Sequence, residues 1–180
     1  MSLDEIVLPE TKPESEWVRG RALQKMSPQR DHGRVQMRFA SALDVWSQGR
    51  GEVATEWRFR IAVPGEPRRP LVPDVAFVAY ERLRGCSVAE LQAPEFAPTV
   101  AVEILSPGDD PRDVASKIDA YLRGGSDLVL VLDPNARTLA AHDAATSRRF
   151  RGNDDFEHPV LPDFALALAP FFEAALQAPD

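Results

Sequence analysis

The sequence predicts a single α/β domain. Three observations carry that expectation. Residues 99–133 read as strand, helix and strand, the order of a βαβ crossover. Val35, Phe39, Ala42, Leu43 and Trp46 recur at the spacing of one buried helix face. VATEWRFRIAV (53–63) alternates apolar and charged residues as a half-exposed strand does. The chain has 180 residues, enough for one core. The domain is expected over 16–180, with residues 1–15 as a loose N-terminal arm.

The elements follow in order. EWVRGRALQKMS (16–27) suits a hairpin turning at Gly20. Pro28 and Asp31 open the first helix, and Gly49 and Gly51 close it. In 53–63, Val53, Trp57, Phe59, Ile61 and Val63 share one face, and Glu56, Arg58 and Arg60 the other. Residues 64–70 are a Pro/Gly/Arg loop. LVPDVAFV (71–78) reads as a strand at an edge or with a bulge, because Pro73 lacks an amide donor. A loop of about twenty residues follows, with a short helix near Ser87–Leu91. TVAVEIL (99–105) is apolar but for Glu103 and suits a strand covered on both faces. DPRDVASKIDAYLRGG (110–125) is a helix with Val114, Ile118, Tyr121 and Leu122 inward and a glycine stop. DLVLVLD (127–133) is the most apolar strand. Strands at 137–142 and 147–151 come next, and 161–176 completes the core with a terminal helix.

Composition narrows the function. The net charge is −7, which opposes a general electrostatic grip on nucleic acid. Arginines and lysines nevertheless crowd residues 19–38 and 58–84, as a solvated surface or as a local basic rim. No apolar run reaches the roughly 18 residues of a membrane span, and the acidic start has no signal-peptide core. Cys86 is the sole cysteine, so an internal disulfide and a cysteine-rich zinc site are excluded. A reducing cytoplasmic setting is expected.

Two carboxylates stand on segments that otherwise read as core. Asp74 shares a face with Val72, Ala76 and Val78; Glu103 shares one with Thr99, Ala101 and Leu105. A carboxylate on a covered face must be paired, protonated or metal-bound. Two such charges 4 Å apart repel by about 4 kcal/mol at an effective dielectric of 20. Mg²⁺ removes that repulsion and commonly takes one or two carboxylates plus water and phosphate. Lys117 sits at the border of the apolar arc of its helix and can lean towards the strand that carries Glu103. There it would hold a water or stabilise charge on a phosphoryl transition state. A plain salt-bridge cluster of Asp74 or Glu103 with Lys117 or an arginine explains the same residues.

PDVAFV and PTVAVEILSPGDDPRDVASKIDAYLRGGSDLVLVLDP resemble the Uma-type restriction endonuclease family of the PD-(D/E)XK nuclease superfamily. ESEWVRGRALQKMSPQRDHGRV resembles its N-terminal segment, and LPDFALALAPFF its closing one. The resemblance implies a restriction-endonuclease-like core, a central mixed β-sheet flanked by helices. It implies Asp74 and Glu103 as Mg²⁺ or Mn²⁺ ligands and Lys117 as the catalytic lysine, displaced onto the following helix. Leu105 stands where the superfamily pattern has lysine, two residues after Glu103. Glu16 matches the family's N-terminal glutamate and is a further ligand, a group that supports the ligands, or a solvated hairpin residue. His32 and Glu56 are additional candidates, with structural roles as their alternatives. Asp113 reads as an orienting partner or a helix-start carboxylate, Asp133 as a turn cap, and His142 and His158 as surface residues.

The expected function is metal-dependent hydrolysis of DNA phosphodiester bonds by a homodimer. The alternative is a catalytically inactive nuclease-fold module for binding or assembly. A nucleotide- or small-phosphate-processing enzyme is the weakest reading, because no P-loop, GxGxxG or Ser/His/Asp arrangement supports it.

Overall fold

A computed structural model describes residues 4–26 and 29–178. Ser27 and Pro28, read above as the end of the hairpin segment and the opening of the first helix, lie outside the described residues, as do 1–3 and 179–180. In chain order the elements are β1 (Ser15–Val18), β2 (Arg21–Gln24), α1 (Arg30–Ser47), β3 (Gly51–Thr55), β4 (Phe59–Ile61), β5 (Arg69–Leu71) and β6 (Val75–Ala79). Then come α2 (Tyr80–Leu83), α3 (Val88–Gln92), β7 (Val100–Ile104), α4 (Pro111–Arg123), β8 (Leu128–Asp133) and β9 (Thr138–His142). β10 (Ser147–Arg151), β11 (Asp155–His158), β12 (Leu161–Ala167) and α5 (Leu168–Leu176) end the chain.

The centre is a six-stranded mixed sheet in the order β10-β9-β8-β7-β6-β3. Only β7 and β8 run parallel, because α4 carries the chain back between them. Val75, Phe77, Val100, Val102, Leu128 and Leu130 face α1 and α5. Ala76, Val78, Ala101 and Val129 face Ala120 and Tyr121 of α4 and the small β4–β5 ribbon. Covered on both sides, β8 can be apolar at every position up to Asp133. Leu128, Leu130 and Leu132 are fully buried, each contributing about 1.5–3 kcal/mol. α4 starts at Pro111 behind the Asp110 cap, whose carboxylate accepts the Arg112 amide. The β1–β2 turn has positive φ at both Arg19 and Gly20, as a two-residue hairpin turn requires.

Four expectations are corrected. The strand expected over 53–63 breaks at Glu56, which takes φ 52; β3 joins the main sheet and β4 pairs with β5. The strand expected over 71–78 breaks at 72–74, and β6 is interior, between β3 and β7. Pro73 falls in the gap, where no ladder amide is needed. The buried line of α4 is Asp113, Lys117, Ala120 and Tyr121, while Val114, Ile118 and Leu122 are half-buried. The helix turns its polar stripe inward because Glu103 and the β1–β2 hairpin offer it partners. The closing segment pairs as a hairpin with β11, which the pattern did not announce. At the N-terminus, Glu5 bridges to Arg68 and its carboxylate pairs with Arg60, so this part of the arm lies against the body.

Candidate active site

The site arises where a long hairpin opens. β6 pairs with β3 as far as Thr55–Val75 and with β7 as far as Val102–Val75. One step further along these registers stand Glu56, Asp74 and Glu103. The β4–β5 ribbon resumes beyond at Phe59–Leu71, in the register the first ribbon would have reached. Chain 51–61 and chain 69–79 are therefore one hairpin, parted at Glu56 and Asp74. The Asp74 carbonyl accepts the Glu56 amide at 3.3 Å and Gln36 Nε2 at 2.9 Å, which satisfies the parted backbone.

Asp74 is 2% exposed. Its Oδ2 accepts the Ile104 amide at 2.6 Å, which ties it to the end of β7. Its Oδ1 lies 2.6 Å from Lys25 Nζ and 3.4 Å from His32 Nε2. Glu103 Oε2 lies 2.5 Å from Lys117 Nζ, and its Oε1 accepts the Tyr121 hydroxyl at 2.9 Å. Lys117 also reaches Glu16 Oε2 at 2.9 Å, and Glu16 Oε1 accepts the Val72 amide at 2.7 Å. A hollow of about 270 Å³ opens over Glu16, Lys25, His32, Asp74, Glu103 and Lys117.

Three buried carboxylates thus face two ammonium groups. Burial pushes Glu103 up to about 7; Lys117 opposes the rise, and Glu16 and Asp74 add to it. Burial would also raise Asp74, but Lys25, His32 and Lys117 outweigh it and hold this carboxyl well below the usual range. Burial would discharge both lysines, yet the carboxylates overcome it and keep each pKa above its ordinary value. The carboxylates leave a surplus of negative charge over the two ammonium groups, and with burial it disfavours the charged form of Glu103. A divalent cation relieves such a surplus, and two hard-oxygen carboxylates on adjacent strand ends fit Mg²⁺, which takes its remaining ligands from water and phosphate. Among the described residues, no group of three or more His, Cys, Asp or Glu could hold a metal by itself.

The family model for Uma2, described as "Putative restriction endonuclease", matches residues 4–169. The chain belongs to the Uma2 family. Its fold is similar to that of a protein from Anabaena variabilis described as "a putative nuclease belonging to DUF820". That structure aligns with a TM-score of 0.83 at 24% identity, over 94% of this chain and 95% of the other. No curated protein matches the chain. The mixed sheet flanked by helices is the core expected from the sequence.

This Uma2 chain brings Glu16, His32, Asp74, Glu103 and Lys117 to one hollow. Asp74 reaches it from the parted hairpin rather than from within a strand. His32 also places Nδ1 3.1 Å from Ser106 Oγ. Glu56 lies behind Lys25, half exposed, and borders a neighbouring hollow instead. Asp113 does not bond to Lys117; Arg19 and Arg21 hold it at 3.1 and 2.6 Å. Asp133 caps its turn by accepting the amides of Asn135 and Ala136.

Lys25 and the Tyr121 hydroxyl were not singled out beforehand. Tyr121 read as core, which its ring is; only the fold shows a carboxylate at the hydroxyl. Lys25 stood among many basic residues. Its ammonium reaches Asp74, Glu56 at 2.8 Å and the Val72 carbonyl at 3.0 Å because the β1–β2 hairpin ends beside the parted strands. A lone lysine just before the Met-Ser-Pro step was the available signal.

Proposed function

We propose that this chain is a Mg²⁺- or Mn²⁺-dependent endonuclease that hydrolyses DNA phosphodiester bonds. The observation that carries the reading is the meeting of buried Asp74 and Glu103 on adjacent strand ends, with Lys117 on Glu103. Asp74 and Glu103 would hold the cation, which supplies positive charge to the phosphate and makes water more acidic. Lys117 is charged, because its pKa is raised by Glu103 and Glu16 against burial. It acts as a fixed positive charge for the pentacoordinate phosphoryl group rather than as a base. Glu16 anchors Lys117 from the far side, and Tyr121 orients Glu103. Water adds to phosphorus, the bond to one ester oxygen breaks, and that oxygen leaves with a proton. A homodimer would present two such sites to the two strands.

The second reading is an inactive nuclease-fold module. It is favoured by the ammonium groups already seated on both carboxylates. Calorimetric titration with Mn²⁺ separates the two, with Asp74→Ala and Glu103→Ala beside wild type and plasmid cleavage as the second readout. Binding and cleavage by wild type alone support the endonuclease. A wild type that neither binds Mn²⁺ nor cuts DNA points to the module.

A further inference from the structure

The crowded arginines of the first half are largely spoken for. Arg19 and Arg21 pair with Asp113, Arg60 with Glu5 and Glu95, and Arg68 with Glu95. Arg148, Arg149 and Arg151 differ. They project from β10, the outer strand of the sheet, and none has a carboxylate partner among the described residues. The pairing Arg149–Ala140 and Arg151–Thr138 puts two of them on the sheet face that carries His142. His142 and Arg149 border one groove, and burial together with the charge of Arg149 holds His142 below its ordinary pKa. Arg148 projects to the other face, where its guanidinium lies 5.0 Å from the centre of the Phe150 ring.

The face of Arg149 is open. A groove of about 460 Å³ runs from the Ser106–Asp109 loop past Ala115 and Ile118 of α4 to His142 and Arg149. The carboxylate hollow lies across the same loop, and Leu105, Ser106, Gly108, Asp109 and Val114 border both. The acidic groups along the groove are committed to their own turns: Asp109 accepts the Ser106 amide and Asp133 accepts two turn amides. A chain with net charge −7 can bind a polyanion only through such a local patch. Arg149 and Arg151 are about 7 Å apart along the strand, so each can reach a different phosphate.

We propose that Arg149 and Arg151 form a phosphate-binding rail that seats the backbone of duplex DNA, which runs from the carboxylate hollow over the Ser106–Asp109 loop onto β9 and β10. The rail rests on the endonuclease reading for its partner, and it is the part of the surface that would hold DNA without cutting it.

The test is fluorescence anisotropy with a labelled DNA duplex in EDTA, over a series of salt concentrations. Three double or single variants are compared with wild type: Arg149→Ala/Arg151→Ala, Arg149→Lys/Arg151→Lys and Arg148→Ala. The alanine pair is expected to weaken binding roughly 10- to 100-fold near 0.1 M salt and to lower the log–log salt slope by about 2. The lysine pair keeps the wild-type slope, and Arg148→Ala on the opposite face keeps wild-type binding. If the alanine pair binds with the affinity and slope of wild type, the rail is wrong while the endonuclease reading stands. Binding that needs the rail, without any cleavage in Mn²⁺, removes the endonuclease reading and leaves the rail. A wild type that binds no duplex overturns the rail.

Discussion

Lys117 Nζ lies 2.5 Å from Glu103 Oε2 and joins it to Glu16, 101 residues earlier in the chain. One ammonium thereby ties the first hairpin, the central sheet and α4 together. Lys117→Ala leaves two buried carboxylates facing each other, and breaking a buried pair from one side costs about 3–5 kcal/mol. Urea denaturation should show that loss. Adding Glu103→Gln to Lys117→Ala should recover part of it, because the stranded charge goes too. Equal stability of single and double variants would mean that the charge is not what Lys117 balances.

Lys25 occupies the Oδ1 side of Asp74 at 2.6 Å. An ammonium there competes with a divalent cation for the same carboxylate. Lys25→Met, which keeps most of the side chain's length without its charge, should therefore tighten Mn²⁺ binding in calorimetry, on the order of tenfold, the equivalent of about 1.4 kcal/mol. Weaker binding than wild type would instead show that Lys25 helps to build the seat.

Glu103 sets a pH dependence in the metal-free protein. Its folded pKa is raised to about 7 by burial, against about 4.3 in an unfolded chain. The folded state then holds the proton more tightly, so stability from this group is full at low pH and declines as pH rises through that window. Chemical denaturation in EDTA should show the decline between about pH 4.5 and pH 7, on the order of 1–3 kcal/mol. Glu103→Gln should flatten it.

Gly51 begins β3 against Ala79, and a Cβ there would lie 2.2 Å from the Val78 carbonyl oxygen and 2.5 Å from the Phe77 ring. Backbone cannot yield as a side-chain tip can. Gly51→Ala should lower stability by about 1–3 kcal/mol through overpacking. Gly33→Ala, where nothing lies within 4 Å of the added carbon, should be neutral or stabilising in the same thermal melts.

Much of this molecule is written locally. The β7–α4–β8 crossover follows from two apolar runs around a capped helix, and α1 from its single buried stripe, because helix and strand periods act over neighbouring residues. Asp74 and Glu103 stood out for a related reason: a charge inside an apolar run demands a partner wherever the run is buried. Helix periodicity placed Lys117 at the border of its apolar arc; family resemblance gave it the catalytic role and singled out Glu16. The tertiary structure alone decided the parting of the long hairpin at Glu56 and Asp74, the inward turn of the Asp113–Lys117 stripe, and the arrival of Lys25 at Asp74. Each depends on which segments lie side by side and in what register, and contacts between residues tens of positions apart leave no period in the sequence. The arginines show the same division. Their number is plain in the composition, but only the fold reveals that those of the first half are largely neutralised and that those of β10 face solvent with no carboxylate partner among the described residues.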